Sequence, residues 1–108
     1  MQIEKYSKMV TMATTIKSIF ERNNDLYGAN LSQIIINAGI FLLKNNQDDT
    51  EDKIYFRAIV PLYKYCKECD YRELKTNIRK LKDLMLPEFI RQKQINDNIQ
   101  YQMYKHYR

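Results

Sequence analysis

The stretch from Leu31 to Leu43 constrains this chain most, because its side chains are apolar on nearly every face of a helix. The apolar residues are Leu31, Ile34, Ile35, Ile36, Ala38, Ile40, Phe41, Leu42 and Leu43. A helix of that kind has to be buried on most of its faces. A chain of 108 residues cannot easily provide that cover alone. The stretch therefore predicts a homodimer or a higher oligomer.

The same stretch is too short to be a membrane anchor. Its longest apolar run, from Ile34 to Leu43, is interrupted by Asn37 and falls well below the length that crosses a bilayer. The first ten residues have no apolar run behind their charges, so no signal peptide is predicted. We expect a cytoplasmic protein with no membrane partner, in which the cysteines stay reduced.

Composition favours helices and is compatible with a polyanionic partner. The chain has two glycines and two prolines, too few for the many corners of a β-sandwich or barrel. Its net charge of +5 fits binding to nucleic acid or to an anionic membrane surface. An ordinary basic soluble protein accounts for this charge nearly as well.

The N-terminal segment from Lys5 to Met12 predicts a short strand. Its polar and apolar side chains alternate weakly, and Tyr6, Val10 and Thr11 favour extended backbone. The alternative is a plain helical bundle whose first helix includes residues 5–23.

Two helices are predicted after this strand. A hydroxyl at Thr14 or Thr15 can cap the first helix, and Gly28 stands where a helix C-terminus favours a left-handed residue. Asn30 or Ser32 can cap the second helix, which contains the apolar stretch.

This order of elements over residues 7–43 resembles the ribbon-helix-helix proteins, the Arc, MetJ and CopG class of small DNA-binding dimers. The resemblance rests on the strand, a helix from Thr14 to Tyr27, the turn at Gly28, and Asn30-Leu31-Ser32 opening a helix with Ile34, Ile35 and Ala38 at core spacing. It implies an antiparallel ribbon, one strand from each subunit, that enters the major groove of double-stranded DNA.

The resemblance also implies which residues contact DNA. Outward side chains of the ribbon would read base edges, and the second helix would hold a phosphate at its N-terminus. The implied base-reading residues are Lys5, Ser7, Met9 and Thr11, and the implied phosphate-binding residues are Asn30, Leu31 and Ser32.

The second half of the chain predicts a helical extension. A polar, acidic linker at residues 45–52 is followed by a helix from about Thr50, which Pro61 should kink or split after Ile59. The next helix, opened by Asp70 and Glu73, carries the apolar stripe Leu74, Ile78, Leu81 and Met85 and ends at Leu86-Pro87. The segment 88–108 has few apolar residues and is expected to order on the domain, on a partner subunit or on a ligand.

The sequence contains no motif for catalysis or for a cofactor. Cys66 and Cys69 form a single C-x-x-C, whereas a structural zinc site needs four ligands, and the only histidine is His106. This favours two reduced thiols on or near a helix. We expect neither an enzyme nor a metal or cofactor site.

The predicted fold is mainly α, with a ribbon-helix-helix module at 1–46 and a helical extension at 47–108. The leading functional hypothesis is a sequence-specific DNA-binding homodimer, either a transcriptional repressor or an accessory protein of plasmid transfer or partition. Its C-terminal helices would serve oligomerisation or a protein partner. The basic helix from Arg72 to Lys82 could lie along the DNA backbone or could be a solvated face. The alternative is a small all-helical interaction or inhibitor protein, from a phage or plasmid, without DNA binding.

Overall fold

The described part of the chain is helical in a computed structural model, which describes residues 2–45 and 50–96. Helix α1 spans Ile3–Arg22 and α2 spans Leu26–Asn45. Helix α3 (Glu51–Ile54) continues through a π-helical turn at Tyr55–Ile59 into α4 (Val60–Glu68). Helix α5 covers Arg72–Met85, and a further helix, α6, covers residues 88–96.

The N-terminal strand predicted for Lys5 to Met12 is wrong, because these residues form the first turns of α1 and the described residues contain no strand. Tyr6, Met9, Ala13, Ile16 and Phe20 recur at helical spacing and are fully buried. Burial of this continuous face outweighs the extended preference of the β-branched residues between. A ribbon-helix-helix module therefore does not describe residues 1–46, and the first helix matches the helical-bundle alternative.

Threonine hydroxyls make this helix compatible with its β-branched residues. Thr11 Oγ1 donates to the Ser7 carbonyl oxygen at 3.0 Å, and Thr14 Oγ1 donates to that of Val10 at 2.7 Å. Each hydroxyl thus bonds to the backbone one turn earlier instead of capping a new helix.

The turn between α1 and α2 lies at residues 23–25, and the turn predicted at Gly28 is wrong. Asn24 adopts the left-handed conformation with φ 56°, which asparagine tolerates well. Asp25 Oδ1 then accepts a hydrogen bond from the Gly28 amide at 3.0 Å, as an N-cap residue does. Gly28 is needed because α1 comes close at this point: a Cβ there would lie 2.3 Å from Phe20 Cδ1.

Helix α2 is buried on the side that faces α1 and exposed on the other side. Its buried residues are Gly28, Ala29, Ser32, Ile35, Ile36, Gly39 and Leu42. By length and composition alone α2 could also cross a membrane. A core helix of a soluble protein passes the same test, and α2 packs here against α1 and α4.

Pro61 follows a π-helical turn without ending the helix. Proline has no amide hydrogen and its ring clashes with the preceding helical turn, which a wider turn relieves. The π-helical turn lies directly before it and directs Tyr55 and Ile59 into the core.

The helices share one hydrophobic core. Helix α1 packs against both α2 and α5, and α4 packs against α5. Buried residues before and after the predicted domain boundary at 46/47, such as Met9 and Leu81, belong to the same cluster. The four apolar stripe residues predicted for α5 are its four buried residues: Leu74, Ile78, Leu81 and Met85.

Candidate anion-binding groove

The residues predicted to read bases lie on different sides of α1. Lys5 Nζ forms an ion pair with Glu51 Oε1 at 2.5 Å, and Met9 is fully buried. Ser7 and Thr11 are exposed and joined by a hydrogen bond within the helix. The structure does not bring these four residues onto a common outward face, so the geometry on which their predicted role depended does not form.

The residues predicted to bind phosphate lie beyond the first turn of α2. Asn30 is exposed and Leu31 is half-buried, while Ser32 is buried and its hydroxyl donates to the Gly28 carbonyl oxygen at 2.9 Å. The N-terminus of α2 instead receives the carboxylate of Asp25. That negative charge occupies the position that an anion would take.

A groove between α4 and α5 gathers positive charge instead. Its lining residues are Tyr63, Cys66, Lys67, Lys75, Ile78 and Arg79, and they enclose a cavity of about 160 Å³. We call this cavity, together with Lys82 beside it, the basic groove. No acidic side chain is among its lining residues.

Tyr63 organises two of the cations. Lys67 Nζ lies 4.7 Å and Lys82 Nζ lies 4.1 Å from the centre of the Tyr63 ring. Both distances are within the range of a cation–π interaction, which contributes about 0.5–1 kcal/mol at an exposed site. The aromatic ring therefore contacts two ammonium groups without neutralising them.

The cations of the basic groove have no carboxylate partner among the described residues. The ion pairs among the described residues lie elsewhere and join Lys5 to Glu51, Lys8 to Glu4 and Arg22 to Glu73. Lys67, Lys75 and Arg79 are exposed, and Lys82 is half-buried. Four cations that are close together, unpaired and accessible suit an anion with several negative oxygens.

The buried Cys66 thiol, which lines the groove, adds no negative charge. Cys66 is 2% exposed, and burial, with smaller contributions from Cys69 and Asp25, raises the pKa of its thiol to about 12. Burial is also the main cause that raises the pKa of the Cys69 thiol. Both groups are thiols at neutral pH, whereas a reactive cysteine is a thiolate.

No cluster of three or more histidine, cysteine or acidic residues suited to a metal occurs within residues 2–45 and 50–96. His106, the histidine considered from the sequence, lies outside the described residues.

Part of the basic groove is visible in the sequence. Lys75, Arg79 and Lys82 follow the i, i+4, i+7 spacing of one helix face, and the helix from Arg72 to Lys82 was predicted to be basic. Tyr63 and Lys67 were not predicted to lie beside it, because the pairing of α4 with α5 depends on tertiary packing. No protein-family model matches the chain, and neither a curated protein nor a solved structure is significantly similar to it.

Proposed function

We propose that this protein binds the phosphate backbone of nucleic acid through the basic groove. The observation that carries the proposal is the convergence of Lys67, Lys75, Arg79 and Lys82 around Tyr63 with no acidic lining residue. Clustered lysine and arginine side chains bind phosphates and release condensed counterions. The net charge of +5 adds a long-range attraction between the protein and the negatively charged nucleic acid.

The proposed contact is to the phosphate backbone. The lining of the groove contains no asparagine or glutamine, the residues that pair with adenine edges. The Tyr63 ring has two ammonium groups against it, so it positions cations instead of stacking on bases. Double-stranded DNA in the cytoplasm is the partner we propose.

The roles in transcriptional repression and in plasmid transfer or partition were inferred from the ribbon-helix-helix resemblance. The strand that would form the ribbon is helical in the structure. These roles therefore form no part of the proposal.

Salt dependence of binding tests the proposal directly. A labelled DNA duplex is titrated with the full chain by fluorescence anisotropy, from about 50 to about 200 mM salt. The observed association constant K falls with salt, and each lost phosphate contact makes the slope of log K against log salt less steep by about 0.9. Lys75→Gln with Arg79→Gln should therefore make the slope less steep by about 1.8. Absence of binding by the wild-type chain at the lowest salt would refute the proposal.

A matched double variant controls for net charge. Lys53 and Arg57 are exposed, lie four residues apart, and are not among the lining residues of the basic groove. Lys53→Gln with Arg57→Gln also removes one lysine and one arginine, and it should leave most of the salt-dependence slope unchanged. An equal loss in both double variants would show that net charge acts without the groove.

The second candidate function is protein interaction without DNA binding. One observation favours it: α2 leaves large apolar side chains, among them Ile34 and Phe41, in contact with solvent. Apolar surface of this kind marks an interaction site.

A further inference from the structure

One face of α2 carries exposed apolar residues at a spacing of seven. Tyr27 is 61% exposed, Ile34 is 54% exposed and Phe41 is 44% exposed. Leu31 and Ala38 lie between them and are half-buried. We call these five residues the α2 stripe. Residues seven apart return to nearly the same side of a helix, so the stripe is straight and about 21 Å long.

The stripe has the pattern of a coiled-coil seam. Tyr27, Ile34 and Phe41 occupy one heptad position, and Leu31 and Ala38 occupy the position four residues after it. Alternating steps of four and three are the spacing with which one helix packs against another. The three most exposed residues of the stripe are placed symmetrically about Ile34, since Tyr27 and Phe41 lie seven residues to either side.

We propose that the occupant of the α2 stripe is a second copy of this chain, packed antiparallel about a twofold axis at Ile34. Each Ile34 meets its counterpart, and each Tyr27 meets Phe41 of the second copy. A twofold interface requires one surface that is complementary to itself, and the placement of Tyr27 and Phe41 seven residues to either side of Ile34 meets this requirement. This interface is separate from the basic groove and does not depend on DNA binding.

Charge at the ends of the stripe selects the antiparallel orientation. Helix α2 has no charged residue from Leu26 to Leu43, and this uncharged segment has Asp25 directly before it and Lys44 directly after it. Antiparallel pairing places Lys44 near Asp25 of the second copy and opposes the two helix dipoles. Parallel pairing would place like charges together at both ends.

Charge also favours a second copy over an anionic membrane surface. A helix that lies on such a surface has lysine or arginine along the edges of its apolar face. The stripe is flanked instead by the neutral residues Asn30 and Asn37. Gln33 Nε2 donates to Asn37 Oδ1 at 2.9 Å, and Lys17 Nζ donates to Gln33 Oε1 at 2.7 Å, which ties this edge to α1.

The oligomeric state of the full chain tests the interface. Sedimentation equilibrium should show a dimer for the wild type, and Ile34→Asp should raise its dissociation constant by roughly 100-fold or more, since two carboxylates would face each other at the axis. Ile95 is similarly exposed, at 47%, and lies on α6, so Ile95→Asp should remain dimeric. Circular dichroism verifies that each variant is folded. A monomeric wild type, or a dimer that Ile34→Asp leaves intact, would overturn the proposal.

Disulfide cross-linking tests the orientation. In a Cys69→Ser background, Ile34→Cys should form a cross-linked dimer on mild oxidation, because the two residues meet at the axis. Two copies of residue 27 would lie about 21 Å apart, beyond the reach of a disulfide, so Tyr27→Cys alone should not cross-link. A mixture of Tyr27→Cys and Phe41→Cys chains should form the cross-linked dimer. Cross-linking of Tyr27→Cys alone as readily as Ile34→Cys would contradict the antiparallel interface.

Discussion

At the scale of single residues, Cys66 shows how packing changes the chemistry of a side chain. Tyr63 and Cys66 lie three residues apart, so helical spacing places both near the edge of the apolar face of their helix. The structure buries Cys66 and leaves Tyr63 half-buried beneath two lysines. Helical periodicity could not decide between neighbours at the edge of the buried face, because the packing of α5 against α4 sets that edge.

Burial of the Cys66 thiol makes stability depend on pH. Its pKa is about 12 in the folded chain against 9.0 for an ordinary thiol, so the stabilisation is complete below pH 9 and is lost as pH rises towards 12. Between about pH 8 and about pH 10 the free energy of unfolding of the wild type should fall by about 1 kcal/mol more than that of Cys66→Ala.

Urea denaturation of both chains at the two pH values measures this difference. Tyrosines also titrate in this range, but they are common to both chains and cancel in the comparison. Parallel dependence on pH in the two chains would show that the thiol is not protected by burial.

At the scale of secondary-structure elements, the close approach of α1 and α2 depends on Gly28. A Cβ at residue 28 would lie 2.3 to 2.5 Å from ring carbons of Phe20, which is fully buried and cannot move freely. Overpacking of a buried site costs about 1–3 kcal/mol and alanine returns about 1 kcal/mol of helix propensity, so Gly28→Ala should lower the free energy of unfolding by up to about 2 kcal/mol.

Gly39→Ala is the matched control for this substitution. Both glycines lie within α2, so both gain about 1 kcal/mol of helix propensity from alanine. A Cβ at residue 39 would meet one methyl carbon of the half-buried Val10, at 2.6 Å. Urea denaturation should therefore find Gly39→Ala more stable than Gly28→Ala, and the reverse order would contradict the packing described for Phe20.

The sequence predicted helices correctly where one strong pattern was present, and less well where two weak patterns competed. The stripe from Leu74 to Met85 predicted α5 and its buried face, and the apolar residues around Ile35 predicted α2. The segment from Lys5 to Met12 contained two weak patterns, and β-propensity suggested the wrong one. Helical burial of Tyr6 and Met9 against other elements decided the structure there, and those contacts are distant in sequence.

The error at Gly28 has a similar physical origin. Glycine is favoured both where a helix ends in a left-handed residue and where two helices come close. The sequence does not distinguish these uses. In the structure Asn24 adopts the left-handed conformation, and Gly28 makes room for Phe20.

At the scale of the whole molecule, charged and apolar surfaces are segregated. Cations collect in the basic groove between α4 and α5, while the exposed face of α2 is apolar and free of charge from Leu26 to Leu43. The sequence predicted the basic character from composition and the need to cover α2 from the apolar residues of that helix. It could not locate either surface, because the groove and the exposed side of α2 are products of helix packing.

We expect nucleic acid to contact the basic groove and not the N-terminal residues. Backbone amide chemical shifts of the isotope-labelled chain, followed during titration with a short DNA duplex, locate the contact. The largest perturbations should fall on residues around Lys67, Lys75, Arg79 and Lys82. Perturbations concentrated on Lys5 to Thr11, with the groove unchanged, would contradict this expectation.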